Sequence, residues 1–439
     1  MVTFQDVANF DVGNAPENIA IGDVNGDGNF DLVTNLRNDE QPLQGAMLLA
    51  RAIEEARDIM FSAPWLLYSP TPLYEKAAAE RQLKHQISAA LDQGFIVHDP
   101  LHPEFRSLNQ HNQYGLFNPD NRYHIATIST PGTYVIRGKR GTSADFQIQV
   151  GTGRPGFNEN LTSPITLSQL SLEDLIVDDD GNFEIVISDT KTGDNWLSNT
   201  KDGLQATNIL IRESFMDWEK EMSGTWYIER SDTRGKPKPL PNPELVNDQY
   251  TRASEYLVGS VRGWVKFVDG LRANLAVNRL SPPRGTDAGL PGQRNSAGHF
   301  PIQRGKAIII TVPDSKARYQ SIQIGDLWFN GLDYCHRQTS LTRSQARQSC
   351  DGNYRFVIST EDPGIANWLD PAGASTAFAF LRWQGLPEDY KFPKNPSVEV
   401  VDFDQLRDCL PNESYFSPEA RVEQLAARQA SSLTSPRGF

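Results

Sequence analysis

Asp180-Gly181-Asn182-Phe183-Glu184-Ile185-Val186-Ile187-Ser188, with Asn195-Trp196-Leu197 shortly after it, returns later in the chain. The second copy is Asp351-Gly352-Asn353-Tyr354-Arg355-Phe356-Val357-Ile358-Ser359, with Asn367-Trp368-Leu369 after it. A repeat of this size sets the architecture before any reactive residue is considered. In each copy Asp-Gly-Asn tolerates positive φ and suits a tight hairpin turn. The run that follows is rich in β-branched and aromatic residues, which favours a strand. Upstream, Phe146 to Gly151 matches Ser321 to Gly325. Downstream, Ile209-Leu210-Ile211-Arg212 matches Phe378-Ala379-Phe380-Leu381-Arg382, and the copies end on Trp226 to Glu229 and Ser397 to Val400. Strands of this kind bury their apolar face only against a second layer. The sequence therefore predicts a mainly β protein with accessory helices, built on two related jelly-roll-like β-sandwiches from an internal duplication.

The rest of the chain arranges itself around these halves. Residues 1–40 form a segment of their own and 41–95 read as helical, with Thr71 a candidate N-cap before Pro72 and Leu83, Ile87 and Leu91 at helical spacing. The first sandwich spans 96–240 and the second 286–410. Between them, in 241–285, Val246, Tyr250, Ala253, Leu257, Val261, Trp264, Val268 and Leu271 step by threes and fours, which predicts one long helix packed inward. Its Gly259 and Gly263, four apart, would let another backbone come close. Residues 411–439 hold a last helix starting near Ser417-Pro418, with Val422, Leu425 and Ala426 as a weak apolar face, and a frayed tail.

Composition narrows the function. A net charge of −13 argues against a nucleic-acid partner, since phosphate neutralisation needs clustered Lys and Arg. Three widely spaced cysteines, Cys335, Cys350 and Cys409, give neither a disulfide framework nor a metal spacing. No apolar run approaches the ~20 residues of a membrane span, and no leader opens the chain, so the expectation is a soluble, cytoplasmic protein unless the N-terminus is processed or incomplete. Gly-rich phosphate loops, paired-His metal motifs and the Gly-x-Ser-x-Gly elbow are all missing from the sequence, so no nucleotide cofactor is expected. A homo-oligomer is compatible with everything above.

One loop has the pattern of a metal site. Asp23, Asn25, Asp27, Asn29 and Asp31 place oxygen donors at alternate positions, with Gly26 and Gly28 letting the backbone turn around an ion. Hard cations such as Ca²⁺ take six to eight oxygens, and this loop supplies several. The segment from Ile19 to Thr34, about thirty residues with its flanks, resembles an integrin-type FG-GAP repeat, in which such a loop joins two strands of a propeller blade. A single copy cannot build a propeller, so the expectation is a structural Ca²⁺ clip on a hairpin.

The second half carries the densest polar residues. Gly298-His299-Phe300, Arg318-Tyr319-Gln320, Leu332-Asp333-Tyr334, Arg337-Gln338-Thr339-Ser340, and Asp362-Pro363-Gly364 through Asn367-Trp368-Leu369-Asp370 to Arg382-Trp383 resemble the bacterial domain-of-unknown-function family numbered 1214, often preceded by a domain numbered 1254. The resemblance spans most of 95–430. It implies paired β-sandwiches with accessory helices and brings no catalytic residue with it.

Physical reading of the residues adds candidates. Arg212 and Arg382 occupy equivalent places in apolar strands, where an unpaired guanidinium is costly, so an anion should meet each: a structural carboxylate or a ligand. Arg337 is a further anion-binding candidate, while Trp196 and Trp368 read as core anchors with Trp368 a candidate platform for a ligand. His299, Asp333 and His336 are the candidates for proton transfer. In an extended strand Asp333, Cys335 and Arg337 share one face and His336 the other, so an Asp-His dyad requires a turn. Two functions remain: an enzyme or ligand-processing protein acting on a small anionic or hydroxylated substrate in a β-sandwich pocket, or a non-catalytic, calcium-stabilised binding or assembly protein. The second half is expected to carry the chemistry and the first to support it.

Overall fold

The structure is a computed structural model. It describes residues 44–67, 72–109, 111–113, 115–153, 165–285, 292–387, 389–410 and 415–433, with the backbone of three N-terminal strands, Ala8–Phe10, Ile19–Gly22 and Asp31–Thr34. The metal-loop side chains Asp23, Asn25, Asp27, Asn29 and Asp31, the cap residue Thr71 and the tail 434–439 lie outside the described residues.

The repeated sequence folds into repeated strands. The first half holds β1 (Asn121–Thr127), β2 (Tyr134–Lys139), β3 (Asp145–Thr152), β4 (Ile165–Ser171), β5 (Asn182–Ser188), β6 (Trp196–Ser198), β7 (Asn208–Ser214) and β8 (Thr225–Arg230). The second holds β9 (Arg294–Pro301), β10 (Lys306–Pro313), β11 (Tyr319–Gly325), β12 (Ser340–Thr342), β13 (Asn353–Ser359), β14 (Trp368–Leu369), β15 (Thr376–Gln384) and β16 (Ser397–Asp402). In the first half one sheet has the order β1-β7-β3-β4, flanked by an edge strand Arg106–Leu108 beside β1, and the other β6-β5-β2-β8. The second half repeats both orders, β9-β15-β11-β12 and β14-β13-β10-β16, and in each half the equivalent strands pair in parallel, β6 with β5 and β14 with β13. The molecule is mainly β, and its two sandwiches are copies of one plan.

Each residue of the repeated motif has a mechanical task. Gly181 and Gly352 both sit at φ 81°, where a side chain would be strained, and turn the chain into β5 and β13. Asn195 pairs with the backbone of Ile176 through both side-chain atoms, at 2.9 and 2.7 Å, and Asn367 does the same with Arg347 at 2.8 and 2.7 Å. The asparagine thus replaces a missing strand partner at the sheet edge. Leu197 and Leu369 then drop into the two cores, each fully buried. Those cores draw on both sheets: Ile136, Ile148, Ile185, Ile209 and Ile211 in one, Ile310, Ile322, Ile358, Leu381 and Trp383 in the other.

Helices make the third layer. α1 (Gly45–Phe61), α2 (Pro72–Leu91) and α3 (Pro243–Asn274) pack together and against Leu327, Trp328, Phe329 and Phe378 of the second half. α3 begins where the periodicity places it: Asn242 accepts from Leu245 N at 2.8 Å and Pro243 occupies the first turn. Ala253, Leu257, Val261 and Val268 of the predicted stripe are buried. A glycine outside α3 gives it close approach, since a Cβ on Gly94 would stand 2.4 Å from the Gln249 carbonyl.

Two helical faces differ from expectation. In α2, Leu91 is 38% exposed, while Glu75, Gln82 and Gln86 are buried beside Ala79 and Leu83. In α4 (Pro418–Leu433), Val422 is 63% exposed and the docking face is formed by Arg421, Arg428 and Ser432. Guanidinium groups have long apolar stems and flat faces, so they pack on aromatic rings as well as aliphatic residues do. Arg428 stacks on Trp218 at 4.5 Å and Arg421 lies over Phe416 at 4.7 Å.

Candidate functional site

The seam between the helical layer and the second sandwich gathers polar groups that the fold leaves unmet. From α2, Glu75 reaches the loop before β15, where Ser375 Oγ donates to its Oε1 at 3.0 Å. Its other oxygen has no partner among the described residues, although the residue is only 1% exposed. Burial pushes the Glu75 carboxyl up to about 7, with the Ser375 hydrogen bond pulling the other way and the nearby Asp326 adding to the rise. Asp326 is itself buried and raised by burial, though Arg81 binds it at 2.9 Å. The Trp328 indole N–H donates to the Glu75 carbonyl at 2.8 Å and so ties Glu75 to the adjoining recess.

Trp65, Gln82, Gln86, Val261 and Trp328 line that recess, which in this form has room for about one water molecule. Gln82 is 3% exposed, and among the described residues neither atom of its carboxamide has a partner. Gln86 accepts from Ser260 Oγ at 2.6 Å but leaves its Nε2 unmet, as Trp65 leaves its indole N–H. Arg272 lies 5.6 Å over the Trp65 ring, and its Nε has no partner among the described residues. On β9, His299 rests on Phe378 at 5.3 Å with Nδ1 unpartnered, and burial, followed by Arg272, lowers its pKa, so the ring is neutral. An unmet buried polar atom costs ~1–3 kcal/mol, and such atoms in a native fold call for a partner.

The fold itself is shared with a known structure. A crystal structure of an uncharacterized protein from Burkholderia cenocepacia is similar to this chain at TM-score 0.72 and 25% identity, covering 82% of this chain and 97% of that one. A crystal structure of a protein from Vibrio parahaemolyticus, 13% identical, covers 80% of this chain and 100% of that one at TM-score 0.41. No family model matches the chain, and no curated protein matches it.

The residues picked from sequence are dispersed. Asp333 and His336 do form a dyad, with Nδ1 3.0 and 3.1 Å from the two carboxylate oxygens. They form it on a turn, closed by Arg337 N on the Asp333 carbonyl at 3.1 Å, and not on a strand; both are exposed. His299 faces the helices and does not meet them. Arg337 pairs with Asp370 at 2.6 Å on the surface. Arg382 donates to Gln323 Oε1 at 2.7 Å, where an anion, a structural carboxylate or a ligand, was expected, and its charge reaches the buried Asp120. Arg212 makes the equivalent bond to Gln149 at 2.8 Å. The Trp368 ring is covered by the Arg421 guanidinium at 5.2 Å, with Arg421 held by Asp362 at 2.9 Å. The cores of both sandwiches are built from apolar side chains, and the recess lies outside them.

Glu75, Gln82, Gln86 and Arg272 escape a reading based on apolar periodicity. Their signal was the spacing of Glu75, Gln82 and Gln86, seven and four apart on one side of an alanine-rich helix.

Proposed function

We propose that the chain binds and processes a small anionic or hydroxylated organic molecule in the seam between the helices and the second sandwich. The observation that carries this reading is the cluster of unmet buried groups around one recess: the carboxamides of Gln82 and Gln86 and the indole of Trp65 suit hydroxyls, while Arg272 suits an anion. Glu75, balanced near neutral pH, is the group suited to exchange a proton, with neutral His299 as a second. The recess is narrow, so binding anything larger than water parts α1 and α3 from α2. The test is thermal shift with glycolate, lactate, malate and glycerol on the wild type and Gln82→Leu. A shift in the wild type that Gln82→Leu abolishes, with the unliganded variant at least as stable, supports the reading; equal shifts in both overturn it.

The calcium clip and the likeness to the 1214 and 1254 domain families belong to the same proposal. Gly22 and Asp31 pair across the strands that the loop joins, which suits a metal-closed hairpin. Calorimetric Ca²⁺ binding that disappears in Asp23→Ala with Asp27→Ala supports the clip, and unchanged binding removes it. The non-catalytic alternative predicts ligand binding with no turnover.

A further inference from the structure

A second group of reactive side chains lies at one end of the first sandwich, away from the seam. His124 in β1 and Glu213 in β7 lie two residues from the core residues Ala126 and Ile211, on the same strand faces, and so point inward beside them. Glu213 is fully buried and accepts from Gly224 N at 2.8 Å, Ser223 Oγ at 2.5 Å and Trp226 Nε1 at 3.2 Å. Its Oε2 stands 3.7 Å from His124 Nε2. Burial pushes this carboxyl up, but His124 and these donors outweigh burial and the net shift is downward, so Glu213 is a carboxylate at neutral pH. Across the ring, Ser107 Oγ lies 3.1 Å from His124 Nδ1, because the edge strand pairs Ser107 directly opposite His124. Ser107 is half-buried and within reach of solvent, whereas Glu213 is not.

The fold does not require this cluster. Arg212 pairs with Tyr123 and Arg382 with Asn295, so the next residues along each strand, His124 with Ser296 and Glu213 with Trp383, hold equivalent places. In the second half Trp383 is fully buried and packs on Phe392 at 5.0 Å, while Ser296 Oγ simply donates to the Ser281 carbonyl at 2.5 Å. An apolar plug closes that end. The first half instead sinks a charge where removal from water costs several kcal/mol before any return.

We propose that Ser107, His124 and Glu213 form a nucleophile, base and carboxylate relay that transfers the acyl group of a short-chain ester to water. Ser107 Oγ bonds to the ester carbonyl carbon as its proton passes to His124 Nδ1 and the carbonyl electron pair moves onto oxygen. When that pair returns, the bond to the alkoxy oxygen breaks, and the departing oxygen takes the proton from Nδ1 and leaves as the alcohol. A water then attacks the acyl-serine carbon, giving its proton to Nδ1. The bond to Oγ breaks, Oγ recovers that proton, and a carboxylic acid is released. Ser107 and His124 are the catalytic residues. Glu213 is a positioning residue: at 3.7 Å it makes no hydrogen bond to Nε2 in this form, and it acts through its charge, which favours the proton on Nε2 and leaves Nδ1 free to accept. The ring is used in the opposite sense to the common serine triad, and the proton balance is unchanged. An edge strand leaves one row of backbone N–H groups outside the sheet, the kind of donor an oxyanion needs.

The test uses the full chain. An alkyl fluorophosphonate is added, followed by intact-mass measurement and peptide mapping, and p-nitrophenyl acetate turnover is followed in parallel. The expected result is one adduct, on Ser107 of the wild type, absent from Ser107→Ala, with turnover falling on the order of 10²-fold in His124→Gln. Glu213→Gln should lower the maximal rate without raising the half-saturating ester concentration, a split that simple loosening of the fold does not give. A folded wild type with no adduct on Ser107 overturns the proposal, as does labelling or turnover that survives in Ser107→Ala. Because the decisive mapping is done on the wild type, a variant that fails to fold does not protect it.

Discussion

Glu75→Gln isolates the energetic effect of a carboxyl whose second oxygen has no partner. The folded-state pKa of Glu75 is raised from 4.5 to about 7 by burial. Between those values the folded chain holds a proton that the unfolded chain has released, so the contribution of Glu75 is fully present below pH 4.5 and is lost as pH rises to about 7. At about 1.4 kcal/mol per pH unit the interval corresponds to at most ~3 kcal/mol. Relaxation around a buried charge lowers this to ~2 kcal/mol. Glutamine keeps the shape and can still accept from Ser375, but it does not ionise. Urea unfolding of both proteins from pH 5 to 8 should show nearly equal stability at the acid end and Glu75→Gln ahead by ~2 kcal/mol at pH 8. A difference that stays flat with pH, or that grows in favour of the wild type, refutes the assignment.

Other substitutions test how the layers are fastened. Arg428 donates to the Tyr334 carbonyl and to both oxygens of Ser340 while burial lowers its pKa to about 10, so Arg428→Ala should cost ~3 kcal/mol in urea unfolding, and Arg428→Lys should not restore it. Asn367 makes a third bond, to the Arg355 carbonyl at 3.0 Å, and is 2% exposed, so Asn367→Ala should cost ~2 kcal/mol against ~1 kcal/mol for the half-exposed Asn195→Ala. Equal costs would mean that the two copies of the motif are not distinguished by burial. Gly352→Ala meets no neighbour yet forces a side chain to φ 81°, so it should lose ~1 kcal/mol through the backbone alone.

The sandwiches were legible because alternation, Asp-Gly-Asn turns and the recurring Asn-Trp-Leu are local signals, and α3 was legible because its apolar stripe from Val246 to Leu271 recurs by threes and fours. The seam was not, because Glu75 meets Ser375 three hundred residues on, and no periodicity links them. At Asp333 a local competitor won: its side chain accepts from His336 N at 3.1 Å, and that bond favours a turn over a strand. The docking face of α4 was missed because it is built from arginine stems and carbonyl contacts, and not from the apolar residues its periodicity marks. Arg212 and Arg382 hold equivalent places, yet each is met by a glutamine carboxamide, from Gln149 and Gln323, a partner that the charge of the guanidinium alone does not point to.

The seam is tested most directly by a high-resolution crystal structure of the protein soaked with whichever acid or polyol gives the largest thermal shift. The expected result is ordered non-protein density within hydrogen-bond distance of the Gln82 carboxamide and the Trp65 indole N–H, with α1 displaced from α2. A Gln82 side chain turned onto a protein partner over an empty recess, with the soaked molecule elsewhere, contradicts it.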